Sequence, residues 1–560
     1  MDEVINKESL ANRAERIEEL AVDLTRQRSV TETVEEQLAT EKVHHFFQQM
    51  TYFEENPDDL FFVPVPNDKW DRKSVIALLR GKKDPTNNKT VVLIGHTDTV
   101  GISDYGDLKH YAHLPYELTE KLKERKHLLP KEAREDLDSG EYLFGRGLFD
   151  MKTGDAIIMT LMEEIESKLD EFSGNILFAA VCDEEANSAG MRSCVPEITR
   201  LRDENKLDLT ALINTDYMTS EYPGDEKKYV YVGTVGKLMP SFYIVGKETH
   251  VGEAFKGLDP NQLAAELTSR INLNTEFCDT VEGESTLPPM SLKQRDLKPE
   301  YSVQTAKSAH VYYNYATHTQ TPDIVMEKMK QVGKDAFEAV MDQLNEHYRN
   351  YCMLTGRQFE PYPYEPKVLT YQELKERVIE DQGNGVVDQL NRAKQKWLLD
   401  DSVDEREYAL KEVELLQTMW KNQEPVIIVY FTPPYYPHIY VKGETTKEKR
   451  LLDAVSHAVD STESDYSLVY KKFFPYISDL SYASAPNNHA EVGALIDNMP
   501  GFGTKYKLPL EDMQSLGLPV CDIGPFGKDS HKFTERLHKH YSFEVAPELV
   551  SKTIDGLLNG

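Results

Sequence analysis

Three apolar runs in this chain stop abruptly at polar, metal-binding residue types, and that pattern limits its possible folds more than any other feature. VVLIGHTDTVG, Val91 to Gly101, climbs through aliphatic residues into His96 and Asp98. GNILFAAVCDEE ends at Asp183, Glu184 and Glu185, and LTALINTDYM ends at Asp216. These runs read as strands, with VIALLRG as another, and they alternate with helical patterns such as RAERIEELAVDLTRQRSV and DAIIMTLMEEIESKL. That alternation is what an α/β sheet requires. On a strand, residues two apart share a face, so His96 and Asp98 meet at the C-terminal end, where open α/β sheets place ligands. Alone, such a pair equally describes a buried histidine tied to a structural carboxylate.

Two further pieces carry the same residue types. GRGLFDMKTG puts Asp150 at a glycine-rich turn leading into a helix, where aspartate is also a preferred cap. CDIGPFGKDSHKFTERL offers His531 beside a turn, just ahead of a helix. Acids meeting at one sheet edge repel and raise one another's pKa unless cations neutralise them. A mixed nitrogen and oxygen set suits zinc, or cobalt or manganese, and a carboxylate can bridge two such ions.

The 560 residues exceed what one hydrophobic core usually supports, so two or more domains are expected. Beyond about residue 236 the texture changes. Strand-like stretches at Leu238–Val245, Ala309–Tyr315 and Val426–Phe431 flank helices such as DIVMEKMKQVGKDAFEAVMDQLNEHY. The highly charged Tyr371–Asn422 reads as a solvated helical insertion. After FTPPYYPHIY, a plausible return crossing, KEKRLLDAVSHAV and VAPELVSKTIDGLL read as helices of the first domain resumed. The expected division is therefore a discontinuous domain, 1–236 and 436–560, with 237–435 inserted. The excursion DYGDLKHYAHLPYELTEKLKERKHLLPKEAREDLDSGEY reads as polar and irregular, a surface segment.

A net charge of −31 argues against a general nucleic-acid binder, which needs a basic face. The five cysteines are scattered and lack CxxC spacing, which fits a reducing compartment better than a disulfide framework. No signal-peptide core precedes the first helix, and no apolar run approaches the roughly 20 residues that cross a bilayer. A soluble, cytoplasmic protein without a membrane partner is expected.

In order, GHTDTVG, GRGLFDMKTG, DEEANSAGM, INTDYM and GPFGKDSHKFTE resemble the motifs of the M20 metallopeptidases. FFPYISDLSYASAP and the long central insertion resemble the family's arginine-catabolism branch. The resemblance implies a zinc-peptidase-like catalytic domain with a central mixed sheet flanked by helices. It also implies an inserted α+β lid/dimerisation domain, here with a helical insertion over about 350–424, and a possible homodimer. By the same resemblance His96 and Asp216 would hold one divalent ion and Glu185 and His531 a second, with Asp150 bridging. Asp98 would stand behind His96 and set its tautomer, and Glu184 would be the general base. Adjacent residues on an extended backbone point apart, so a split of Glu184 and Glu185 into base and ligand is geometrically sensible. His250, in IVGKETHVGEAF, and Asn314 would contact substrate and oxyanion. The implied reaction is hydrolysis of an amide in a dipeptide, an N-acyl amino acid or an arginine-related compound. The alternative is a catalytically silent binding or regulatory protein on the same fold.

The pattern departs from the family in one region. AHVYYNYATHTQTPD carries Asn314 and His318 but not the arginine that often grips a substrate carboxylate, a role that Arg146 or Lys237 would then fill. Asp479, in PYISDLSYA, is either a substrate-positioning residue or part of a structural turn.

Overall fold

The computed structural model describes residues 7–560, with side-chain surroundings from Asn12 onward except at His489. The chain forms two compact units. The first comprises Met1–Thr234, Ile439–Ala485 and Pro509–Gly560, and the second Val235–His438 with Pro486–Leu508.

The first unit is built on an eight-stranded mixed sheet. Its strands, in chain order, are β1 (Leu60–Pro64), β2 (Lys73–Arg80), β3 (Lys89–His96), β4 (Asn175–Val181), β5 (Asp208–Asn214), β6 (Lys228–Val232), β7 (Leu468–Lys471) and β8 (Val520–Asp522). Across the sheet they run β1-β2-β4-β3-β5-β8-β6-β7. The central strands β4, β3, β5 and β8 are mutually parallel, so their C-terminal ends share one rim. β2 runs against both β1 and β4, and β6 runs against β8 but parallel to β7.

β3 and β4 are buried at almost every position, which explains why their sequences are aliphatic without alternation: both faces are covered. Helices Thr153–Glu166 and Ala546–Asn559 pack against β3, Thr446–Ser461 against β5, and Gln37–Gln48 and Ala189–Asn205 against β2. Lys7–Arg26 lies along Thr153–Glu166, clamped by paired guanidinium–carboxylate contacts from Arg13 to Glu164 and Arg16 to Glu163.

Residues 486–508, expected in the first domain, fall in the second unit, and a region of the first unit also differs from expectation. The excursion after the first motif is ordered, with helices Pro115–Glu124 and Lys131–Ser139 enclosing their own small core. Leu118 with Leu122, and Ala133 with Leu137, meet Tyr105, Leu108 and Phe144 there. Each pair is four residues apart, which places it on one helical face.

The second unit carries a sheet in the order Met290–Asp296, Ser308–Thr317, Pro240–Val245, Val426–Phe431 and Val368–Thr370. Helices Pro260–Ile271 and Pro322–Thr355 pack together over one core. The charged insertion forms three helices, Tyr371–Gln382, Gly385–Leu398 and Glu405–Met419. It is only partly solvated. Leu374, Val378, Leu390, Val413 and Leu416 form an apolar layer against Tyr243, Val245 and Ile428 of the sheet. No described helix is long and apolar enough to cross a membrane.

Candidate metal centre

Because β3, β4, β5 and β8 are parallel, the polar residues that follow them arrive at one place. His96 is the last residue of β3. The acids after β4 lie in a turn, Asp216 follows β5, and Asp522 ends β8. Asp150 arrives from the tight turn Leu148–Lys152 that opens helix Thr153–Glu166. Its side chain does not cap that helix. One carboxylate oxygen is 3.2 Å from His96 Nε2 and the other 3.1 Å from His531 Nε2. His531 Nε2 is also 3.0 Å from Glu185, and Glu184 stands 3.9 Å from His96 Nε2.

Glu184 and Glu185 diverge for a different reason from the one expected. Their backbone is a turn, not extended, and both amides donate to Asp98, one to each carboxylate oxygen at 3.1 Å. Asp98 therefore shapes the acid turn. His96 Nδ1 lies 3.1 Å from the Asp98 carbonyl oxygen and 3.7 Å from its carboxylate. Asp216 accepts from the Tyr217 amide at 2.7 Å, and its own amide donates to Asp522 at 3.1 Å. Gly524, next along, is obligatory by proximity: a Cβ there would lie 1.5 Å from the Asp216 carbonyl oxygen. Asp216, Glu184, His96 and Asp479 line one small void with Ile94 and Val181.

His531 sits in a loop at φ 64, a left-handed conformation uncommon for a residue with a side chain. The helix expected just after it is a turn and the short strand Arg536–His538. The side chain is about half exposed, at 48%.

Five carboxyl groups converge on two imidazoles. Burial pushes Glu184 well above the usual carboxylate range, with Asp216 and Asp479 adding to the effect. Burial, then Asp150, lifts Asp216 to about 7. Burial would raise Asp150 too, but the imidazoles of His531 and His96 hold it below its usual range. Burial opposes protonation of His531, yet Asp150 and Glu185 carry it up to about 11. The cluster thus lacks positive charge and borrows it from its histidines. Neutral imidazoles would turn Nε2 lone pairs toward the same acids, the donor set a hard or borderline divalent ion takes. His96, Asp150 and Glu185 each offer a ligand atom, all within 4.8 Å of one another, so these residues fit a metal.

His250 belongs to the second unit, where its Nδ1 accepts from the Gly252 amide at 3.0 Å. Asn314 lies on that unit's strand Ser308–Thr317, opposite Met290. Lys237 is there too, 5.8 Å from the Tyr436 ring. Arg146 is not available for a substrate carboxylate. It is buried, and its guanidinium is committed to Glu535 and Asp104.

Sequence reasoning missed a buried support behind the acid turn. Arg72 bonds Asp183, Glu36 and Asp68, all within the interior. No local pattern marks Glu36 or Arg72, because each finds its partner only in the fold. Burial, then Asp98, pushes Glu36 up to about 9. A carboxyl whose folded pKa is raised stabilises the fold fully below its unfolded pKa, and that stability is lost as pH rises toward the folded value. Glu36→Gln is accordingly expected to flatten the decline in stability between about pH 4.5 and 9, read by urea denaturation across that range. An unchanged slope would show that Glu36 is not protonated in the folded state.

Residues 92–543 match the model of Peptidase family M20/M25/M40, and the chain belongs to that family of metal-dependent hydrolases. Protein RocB of Bacillus subtilis (strain 168) is 34% identical over 554 residues, 99% of this chain and 96% of RocB. The uncharacterized protein YqjN of the same organism is 36% identical over 543 residues, 96% of each chain. Aminopeptidase PepT from Bacillus cereus ATCC 10987 shares the fold at 13% identity and a TM-score of 0.51, over 97% of this chain and 98% of PepT.

Proposed function

We propose that this chain is a two-metal-dependent hydrolase that cleaves an amide bond in a small substrate, a dipeptide, an N-acyl amino acid or an arginine-related amide. The observation that carries the reading is Asp150, whose two oxygens each face a different imidazole at 3.2 and 3.1 Å. His96 and Asp216 are the ligands on one side of it, and Glu185 and His531 those on the other. Ions bound there supply Lewis acidity and lower the pKa of water toward neutrality.

The protein's own contribution is positional and protonic. Glu184, largely buried at 11% exposure and with its pKa pushed up, is suited to take a proton from water and return it to the leaving amine. The Asp98 carboxylate fixes the turn that aims Glu184 and Glu185 apart. The Asp98 carbonyl holds His96 Nδ1–H, leaving Nε2 as the donor atom. His250, Asn314, a zinc preference, the arginine link and a homodimer enter this reading from the family resemblance alone.

Mass spectrometry of intact protein, after zinc or cobalt supplementation, tests it. About two ions per chain are expected, falling to one or none in Asp150→Asn. Wild-type protein that holds no metal would end the proposal. Two bound ions with no hydrolysis across a panel of dipeptides and N-acyl amino acids would instead favour a silent binding protein.

A further inference from the structure

Tyr217 follows Asp216 in the chain, and the side chains around it adjoin two more residues of the metal centre. Its ring centroid lies 4.8 Å from that of Phe149, which precedes Asp150. Its phenolic oxygen accepts a hydrogen bond at 3.1 Å from Ser530, which precedes His531. Tyr476 stacks on the same ring, with centroids 5.1 Å apart and planes 28° from parallel. All four residues belong to the first unit. Phe149 is itself held tightly, since a Cβ at Gly527 would lie 2.4 Å from its ring. Two ring contacts and one hydrogen bond thus fix the plane of Tyr217 and the place of its hydroxyl before any substrate arrives.

That hydroxyl is only half committed. Ser530 is the donor in the bond the two share, so the phenolic proton goes to no acceptor among the described residues. Burial, then the charges of Asp150 and Asp216, push the Tyr217 pKa well above its usual value, so the O–H is intact at neutral pH. The metal centre is otherwise poor in donors. Its ionised carboxylates only accept, and the imidazole nitrogens that face them are the atoms an ion would take. Of the other hydroxyls next in sequence to these residues, Thr97 donates to the Val181 carbonyl, Ser530 donates to Tyr217, and Thr215 is fully buried. Tyr217 is partly exposed and keeps its proton to give.

We propose that the Tyr217 hydroxyl is a catalytic hydrogen-bond donor to the oxygen of the scissile carbonyl, a contact that strengthens as that oxygen gains negative charge. The proton stays on the phenol throughout, so no bond to Tyr217 forms or breaks. The proposal rests on the hydrolase reading and adds to it a donor from the unit that carries the metal centre.

Tyr217→Phe removes the hydroxyl and keeps the ring contacts. Its kcat and KM are measured on the dipeptide or N-acyl amino acid that the wild type cleaves best, with metal content and Tm on the same preparation. The expected result is a fall in kcat of about 10²-fold, the worth of one oxyanion donor. KM, metal content and Tm should hardly move, because a contact made mainly in the transition state lowers kcat and kcat/KM alike. The phosphinic acid analogue of the same substrate, a tetrahedral mimic, should lose affinity by a similar factor. An unchanged kcat with both ions bound would overturn the proposal, as would a raised KM at unchanged kcat, which marks a contact made equally in the ground state. Loss of metal alongside loss of activity would overturn it too, making Tyr217 a support for Asp216. A wild type that cleaves no member of the panel would instead end the hydrolase reading, and this proposal with it.

Discussion

Glu184→Gln is expected to lower kcat on the best amide substrate by about 10²–10⁴-fold, the usual worth of a positioned general base. The substitution keeps the shape of the side chain and removes only its capacity to accept a proton. The backbone amide that anchors residue 184 to Asp98 is untouched, so the turn should hold and both metals should stay. Stability should not fall. Burial already raises the Glu184 pKa above its unfolded value, so the ionised form costs free energy at neutral pH that a neutral glutamine does not. The measurements are kcat, metal content and Tm on one preparation. Loss of metal together with loss of activity would make Glu184 a ligand instead, and an unchanged kcat would remove it from the mechanism.

The second large effect is on folding. Arg72→Met should destabilise the protein by about 3–5 kcal/mol near pH 7.5, the range for stripping a buried ion pair of one partner. Arg72 is 5% exposed, and its partners Asp183 and Glu36 are fully buried. Without the guanidinium, burial raises Asp183 further above its unfolded value, whereas Glu36, already pushed up to about 9, is protonated in the fold at pH 7.5 either way. The loss should therefore shrink as pH falls toward the unfolded aspartate value, about 3.9, below which Asp183 is protonated folded or unfolded. Urea denaturation at pH 7.5 and pH 5 reads both the size and the slope. Asp183 opens the turn that carries Glu184 and Glu185, so kcat should fall as well. A loss below about 1 kcal/mol, or one independent of pH, would show that the network is not held by charge.

Much of the first unit was readable because its strands are covered on both faces. Such strands leave uninterrupted aliphatic runs, and the residues ending them stand out by contrast. His96, Asp216 and the Asp183–Glu185 acids were found that way. Asp150 and His531 were weaker, each on a turn, and gained force only as parts of the family's ordered series. The reason given for the parting of Glu184 and Glu185 was wrong in its physics, because tertiary hydrogen bonds to Asp98 bend a backbone that local pattern reads as extended. The small helical core after the first motif escaped notice because Leu118, Leu122, Ala133 and Leu137 are spread among lysines and glutamates. The insertion's apolar layer was concealed the same way: a charged face dominates composition while a narrow stripe does the packing. Arg72, Glu36 and Asp522 have no local signature at all, since their partners lie far off in sequence.

The position of β8 has a consequence for synthesis. This strand follows the other seven in the chain, yet it lodges between β5 and β6, not at a border of the sheet. A nascent polypeptide that has left the ribosome only as far as residue 519 presents two open ladders of amide and carbonyl groups, the template for wrong pairing. It also lacks His531, so the second imidazole facing Asp150 and relief from that hazard both arrive only beyond residue 519.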